Sequence, residues 1–286
     1  MFSGKEGRIK SNSSLTAFVT FRTLDFVCLT TPKPIALSPL ALKNPLSLSG
    51  PITISDISPS LIFLPSKFLN IPKEILIITM KHHQKYFHTF DKKGNITNQF
   101  IVVANNKDSK GFIKSGNERV VEARLSDAQF FWEKNKSQNL VKQIAKLKMV
   151  NYFKGLGSYF DKTQRIRKLA GVISDELLIS KEKVEISSTI CKVDLISDLV
   201  GEFPELQGIM GGYFAEAQGF DKDISLAVRE HYLPVGLDSY TPKKPFSIAL
   251  ALSDKLDTLV GFFGIDQRPT SSKDPYALRR IALGII

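Results

Sequence analysis

From Gly116 to the end of the chain, apolar residues recur three and four positions apart, and that period commits more than half of the sequence to packed helices. Val120, Val121, Leu125, Ala128, Phe131 and Trp132 share one broad face. Leu140 to Val150 continues the pattern with Lys142, Lys146 and Lys148 on the polar side. Asp161 is placed to cap the next helix, whose apolar row is Ile166, Leu169, Ala170, Ile173 and Leu177. Further helices are expected around 184–200, 204–217, 224–232, 246–263 and from 275 onward. The last is expected to run to Ile286 without a polar tail, which reads as an element cut short.

Strand-like runs precede this helical part. Pro72-Lys-Glu-Ile75-Leu-Ile-Ile78 is short, apolar and β-branched and predicts a buried strand. Asp91-Lys-Lys-Gly94-Asn predicts a turn, and Phe100-Ile-Val-Val-Ala104 a second strand. Residues 1–70 differ in kind. Seven of the 14 prolines fall between Pro32 and Pro65, and proline at that density removes backbone donors and fixes φ. This Pro/Ser-rich stretch reads as atypical and poorly ordered, with one short strand at Pro51-Ile-Thr-Ile-Ser. The expected class is α+β: a small mixed α/β unit over 71–150, then a mostly α-helical domain over 151–286. At about 150 residues per domain, a 286-residue chain has room for both.

The formal net charge is +11, which favours polyanionic partners, nucleic acid first. The charge is uneven. Lys134 to Lys168 holds ten Lys or Arg and one acid, Asp161, whereas Lys181 to Glu230 holds ten acids and five cations. Cys28 and Cys191 are far apart and belong to no metal-binding spacing, so neither a disulfide framework nor a zinc site is expected. No apolar run is long enough to span a membrane and the N-terminus lacks a signal-peptide pattern, so the expectation is a cytoplasmic protein without a membrane partner.

A search for self-contained catalytic machinery returns little. There is no Walker loop, GxGxxG or GxSxG, and Gly155-Leu-Gly157 reads as a turn before a helix. His82 and His83 are splayed in a helix or a strand, which suits them poorly to one metal. Asp254 and Asp257 lie three apart on one helical face. Metal or acid/base work is conceivable there, but a cap, a salt bridge to Lys255 or Arg268, or a polar helix face is favoured. Pro204 suits the first turn of a helix, with Glu202 and Glu205 beside it complementing the dipole.

Several strings together resemble the beta subunit of the bacterial two-subunit glycyl-tRNA synthetase. They are Thr79-Met-Lys-His-His-Gln-Lys-Tyr-Phe87, Gly116 through Phe131, Leu156 through Ile166 and Asp194 through Gly211. Glu230-His-Tyr-Leu-Pro234, Ala251 through Gly261 and Ser272 through Arg280 follow in the same order. The resemblance covers about residues 71–286. It implies an α2β2 assembly in which the alpha subunit uses ATP to activate glycine and the beta subunit binds tRNA-Gly. It also implies that this chain carries no aminoacylation site, with the ATP site on the alpha subunit. The helical region resembles a degenerate HD-type domain. A working HD site needs a His-Asp pair and further His and Asp ligands; no His-Asp dipeptide occurs here, so a scaffold without bound metal is expected. Residues 1–70 and the missing C-terminal part depart from the family pattern.

On this reading the tRNA-binding candidates are Lys81, His82, His83, Lys85 and Tyr86, then Asn117, Arg119 and Arg124, then Lys162, Arg165, Arg167 and Lys168. The cations neutralise phosphates and the aromatic ring stacks on exposed bases. Arg279 and Arg280 are weaker candidates, open to pairing with Asp254 or Glu205. Two other readings stay open: an HD-like metal-dependent phosphohydrolase, and an inactive gene fragment.

Overall fold

The computed structural model describes residues 6–8, 18–20, 58–104, 106–236 and 239–286, with the backbone alone at 6–8, 18–20, 58, 59, 82 and 83. The chain divides into two compact units, 1–129 and 130–286.

The first unit is built on a three-stranded antiparallel sheet. Its order is β3 (Ser58–Phe63), β5 (Ile96–Ala104), β4 (Phe87–Phe90); a separate ribbon pairs β1 (Glu6–Arg8) with β2 (Phe18–Thr20). Ile62 faces Phe100 across the β3–β5 pair, and both are fully buried. The turn from β4 to β5 is the expected one. The Asp91 carboxylate accepts from the amides of Lys93 and Asn95, and Gly94 takes φ +82°.

Two sequence expectations change here. The run predicted as a strand at 72–78 is a helix, α1 (Lys73–Ile78), continuing into a π-helical turn at Thr79–His83. A short apolar run fits a buried strand or a buried helix equally well by period. Pro72 decides it, because its fixed φ prepares the first turn and its carbonyl accepts from the Ile75 amide. Ile75, Leu76 and Met80 are then buried. Regular structure also begins earlier than expected, at β3 and a 3-10 turn over Ser66–Asn70. Pro59 is tolerated in β3 because that strand is an edge of the sheet. The strand expected at Pro51 lies outside the described residues. The strand expected at Phe100–Ala104 is present within β5.

Helix α2 (Phe112–Lys136) follows. Its buried stripe is Val121, Leu125, Ala128 and Trp132, narrower than the sequence face, since Val120 is 44% exposed.

The second unit is mostly helical. After α3 (Leu140–Gln143) and a 3-10 turn at Ile144–Met149, a small hairpin of β6 (Asn151–Phe153) and β7 (Gly157–Ser158) leads into α4 (Tyr159–Glu176). Gly155 and Gly157 sit at φ +90° and +80°, so the expected glycine turn is the hairpin's own. The cap of α4 is Ser158 rather than Asp161. Ser158 accepts from the Asp161 amide, and the Asp161 carboxylate reaches back to the Ser158 amide, a reciprocal capping box.

Helix α5 (Lys181–Ile190), a 3-10 turn at Val193–Ile196, α6 (Asp198–Glu202) and α7 (Ile209–Ala217) replace the two longer helices read from sequence. Ser197 caps α6 through the Val200 amide, and Gly208 at φ +79° stops the chain before α7. Then come α8 (Lys222–Glu230), α9 (Pro245–Gly264) and α10 (Leu278–Leu283). Helix α4 packs on α5 and α9, and α8 packs on α5, α7 and α9. No helix among the described residues is long and apolar enough to cross a membrane.

Helices α7 and α8 pack tightly at Gly212. A Cβ there would stand 2.6 Å from the Arg229 Cβ and 2.8 Å from the Ser225 carbonyl oxygen. Gly212→Ala is therefore expected to cost about 1–3 kcal/mol through overpacking. Gly201→Ala, with open space around it, should be neutral or gain up to about 1 kcal/mol from helix propensity. Urea melts of the two variants check the contrast; equal effects would mean that the α7–α8 contact can relax.

Candidate functional site

Charged side chains converge inside the second unit. Helix α9 places Ser247, Leu250, Asp254 and Asp257 on one buried row. Helix α4 does the same with Lys162, Ile166 and Ala170, four residues apart. Lys192 follows the end of α5 and His231 the end of α8. Because these helices pack on one another, the side chains meet.

Asp254 is the centre. Its Oδ1 lies 2.9 Å from the Lys162 ammonium and its Oδ2 accepts from Lys192 at 2.7 Å. Lys162 also donates to Asp257 Oδ2 at 3.0 Å and to Thr258 Oγ1 at 2.7 Å. Arg165 donates from Nε to Asp257 Oδ1 at 2.6 Å and from a terminal nitrogen to the Leu156 carbonyl at 3.0 Å, tying the hairpin to α9. Lys162, Lys192, Asp254 and Asp257 are 2%, 1%, 6% and 6% exposed. Each ammonium also faces a ring: Lys162 stands 4.5 Å from the Tyr152 centroid, and Lys192 3.8 Å from that of Tyr232.

The protonation states follow from the surroundings. Burial works to raise the Asp254 carboxyl, but Lys162 and Lys192 outweigh it and hold the group ionised, well below the usual carboxylate range. Burial works against charge on both lysines, and Asp254 more than offsets it, so both stay protonated. His231 is the reverse. Burial, then the Lys192 charge, pushes its imidazole down to about 3. It is neutral, and its tautomer is assigned by its partners. Nδ1 lies 2.6 Å from the Val228 carbonyl, which can only accept, so Nδ1 carries the hydrogen. Nε2 then accepts from Lys192 at 2.9 Å.

Asp194 sits deep in the same unit, with its Oδ2 accepting from the amides of Gly208 and Gly211 at the start of α7. Burial raises its carboxyl to about 6 against these two hydrogen bonds. Burial first, with the Asp254 and Asp194 charges adding to it against Lys192, raises the Cys191 thiol to about 12, which removes it as a nucleophile.

The structure separates the sequence candidates into groups. Lys162 is not a surface cation; it belongs to the buried cluster. Arg165 is held by Asp257, and Arg167 donates to Glu185 at 2.6 Å from the α4 surface. Lys168 is exposed. In the first unit the Tyr86 hydroxyl donates to the Asn117 side chain, which joins two candidates. Lys81, Lys85, Arg119 and Arg124 are exposed, and Lys85 takes φ +58°. The side chains of His82 and His83 lie outside the described residues. Arg279 donates to the Thr270 carbonyl, and Asp254 is taken by the two lysines instead.

Asp254 and Asp257 do form salt bridges, as favoured from sequence. Their partners are Lys162, Lys192 and Arg165, not Lys255 or Arg268. Lys255 donates instead to the carbonyls of Tyr232 and Leu233. The missed residues were Lys192 and His231. One signal was available for Lys162, which falls four and eight residues before the buried Ile166 and Ala170.

Comparison with known proteins follows the same stretch of chain. A family described as "Glycyl-tRNA synthetase beta subunit" matches residues 61–286. Among curated relatives, the glycine–tRNA ligase beta subunit of Thermodesulfovibrio yellowstonii is 45% identical over 222 residues, covering 77% of this chain and 33% of the relative. That of Pseudomonas syringae pv. tomato is 47% identical over 222 residues, covering 77% and 32%. That of Rhodospirillum centenum is 42% identical over 228 residues, covering 78% and 32%. The chain thus spans about a third of the length of the curated relatives it matches. The match begins ten residues before the boundary read from sequence.

The charge states carry a test. His231 is folded near about 3 and unfolded near 6.5, so between these values the unfolded chain holds the extra proton and stability falls as pH falls. Asp194, about 6 folded against 3.8 unfolded, has the opposite sign: its contribution grows as pH falls through that interval. His231→Gln removes the first effect and keeps the second. Between pH 6 and 4 the variant should lose less stability on acidification than the parent, by up to about 1.4 kcal/mol per pH unit in urea melts. Parallel profiles would show that the folded imidazole is already charged.

Proposed function

We propose that this chain, which belongs to the glycyl-tRNA synthetase beta subunit family, serves glycyl-tRNA synthesis by holding tRNA rather than by carrying out aminoacylation. The relatives' names imply an alpha subunit as partner and tRNA-Gly as ligand. Activation of glycine with ATP falls to the alpha subunit, in an α2β2 assembly in the cytoplasm. The helical unit serves as a degenerate HD-like scaffold.

One observation carries the reading: the cations of the 134–168 stretch divide into an internal set and a free external set. Lys134 pairs with Asp198 at 3.0 Å, Lys136 with Glu133 at 2.6 Å, and Arg165 and Arg167 with Asp257 and Glu185. Lys162 is buried. Lys142 and Lys146 on the 140–149 segment, and Lys154 on the hairpin, are exposed, and Lys148 is exposed with its ammonium 4.8 Å from the Phe160 ring centroid and its charge acting on Asp161. An unpaired ammonium in water can meet a phosphate without first giving up a carboxylate, and phosphate contact dominates nucleic-acid affinity. Lys81, Lys85 and Arg119 of the first unit are further candidates by exposure, and Arg124, also exposed, is a candidate that already has an interaction within the fold. The phosphohydrolase reading has weaker support, since ammonium groups fill the positions beside Asp254.

The test is binding of this chain to labelled tRNA-Gly across a salt series, with an unrelated tRNA beside it. Affinity should fall steeply with salt. Lys142→Gln, Lys146→Gln and Lys148→Gln together should reduce the log–log slope by about two to three units. Lys273→Gln, another exposed lysine, should leave it unchanged. No binding at low salt by the folded chain would sink the reading.

A further inference from the structure

Between the end of α2 and the start of α3 the chain bends, and one side chain from α7 holds both sides of the bend. Gln218 Nε2 donates to the Gln138 carbonyl at 2.7 Å and to the Lys136 carbonyl at 3.4 Å, and its Oε1 accepts from the Leu140 amide at 3.0 Å. A carbonyl only accepts and a backbone N–H only donates, so the partners fix which way the Gln218 amide faces. These are the groups that helix ends leave open, carbonyls near the finish of α2 and an amide at the first position of α3. Asn139 supplies the local cap, its side chain accepting from the Lys142 amide at 3.0 Å. Gln218 is itself launched from a fixed place. It ends α7, Gly219 follows at φ +77°, and the Gly219 and Phe220 amides return to the carbonyls of Glu216 and Ala215, each at 3.1 Å. One turn earlier, Phe214 stacks on Trp132 of α2 with ring centroids 5.6 Å apart.

The segment that leaves this bend carries the exposed lysines 142, 146 and 148, while Leu140 and Leu147 anchor it by burial. Two leucines fix how deep the segment sits but tolerate slip and rotation. Three hydrogen bonds to one amide do not, because they are directional. We infer that Gln218 is the positioning residue of this cationic segment: it sets the conformation in which Lys142, Lys146 and Lys148 are presented before any RNA arrives. The inference rests on the reading of these lysines as phosphate contacts. Gln218 touches no phosphate in this scheme; its donors and its acceptor are taken up by the bend. Its contribution is preorganisation, since a segment already ordered in the free chain loses less conformational freedom on binding. The two kinds of residue therefore differ in signature. Removing a lysine removes a phosphate contact and lowers the salt dependence, whereas removing Gln218 weakens affinity and leaves the number of contacts in the complex the same.

The test uses the full chain with Gln218→Met, which keeps the side chain's length and removes its donors and its acceptor. Val184→Ala, a fully buried change in α5, lowers stability without touching the bend. Amide hydrogen exchange and binding of labelled tRNA-Gly across a salt series are measured where the parent and both variants are folded. In Gln218→Met, amides between Leu140 and Met149 should exchange about two- to tenfold faster than in the parent, with those of α4 and α9 unchanged. tRNA-Gly should bind about three- to tenfold more weakly with the parent's log–log salt slope. Val184→Ala should keep the parent's affinity. Unchanged exchange in the segment would overturn the inference, as would faster exchange with unchanged affinity. A slope that falls together with the affinity would overturn it too, because contacts rather than order would have been lost. An equal loss of affinity in Val184→Ala would reduce the effect to general stability and overturn it as well. All four results leave the RNA reading standing. A parent chain that does not bind tRNA-Gly overturns that reading, and the positioning role with it.

Discussion

Asp254 is the group on which the helical unit depends. A carboxylate this deeply placed has lost most of its hydration, and in a low-dielectric interior that loss is tolerable only when opposite charge and hydrogen bonds replace it. The replacements come from different parts of the chain. Lys162 reaches in from α4, and Lys192 from the end of α5. His231, at the end of α8, binds Lys192 rather than the carboxylate itself. Three helix contacts, α4 with α9, α5 with α9 and α8 with α9, therefore converge on one side chain. Apolar packing around them is forgiving of small slips. Bidentate use of one carboxylate by two ammonium groups is not, because a slip of one residue on α4 would carry Lys162 out of the buried row it shares with Ile166 and Ala170. Withdrawing Asp254 leaves two buried ammonium groups short of their counter-charge, a loss on the order of 3–5 kcal/mol.

The same interior explains why a count of basic residues is a poor guide to a binding face. The stretch from Lys134 to Lys168 reads as a uniform cationic block in sequence. In the fold it is sorted three ways: one lysine is spent inside the core, several cations are tied to carboxylates, and the remainder are exposed, Lys148 among them against the Phe160 ring. Only the last group can approach a polyanion without a prior exchange of partners. The sorting follows helical phase. Lys162 lies on the inward row of α4, whereas Arg167 and Lys168, five and six residues on, lie on the outward side and are exposed.

What the sequence made legible, and what it did not, divides along the range of the interactions concerned. Local features were readable. The Asp91–Asn95 turn, the glycine turn before α4, Pro204 in the first turn of its helix and the long period of α9 all rest on contacts within a few residues. The misread pieces were decided by competition between two local rules or by distant partners. Ile75 to Ile78 satisfies a strand pattern, but Pro72 makes a better helix start. Asp161 looked like a cap because it precedes an apolar row, but Ser158 lies three residues earlier and takes that place. The long helices expected near 184–200 and 204–217 break where Ser197 and Gly208 offer starts of their own. The buried cluster was the hardest to read. Lys162 and Asp254 lie 92 positions apart by residue number, and a lysine in a helix carries no mark of burial except its phase relative to apolar neighbours.

A tethered cation behaves differently from a bound metal ion. A metal ion in such a site is held by equilibrium, and a ligand rich in phosphate competes for the same ions at every binding event. Metal affinity also falls with acid, because carboxylates and imidazoles must be deprotonated to coordinate. Lysine side chains remove the dependence on free ion. Their ammonium groups are covalently attached, stay protonated beside Asp254, and cannot be drawn off into solution by RNA. The interior charge is thereby settled before any ligand arrives. The lysines at 142, 146, 148 and 154 stand exposed, apart from that interior balance.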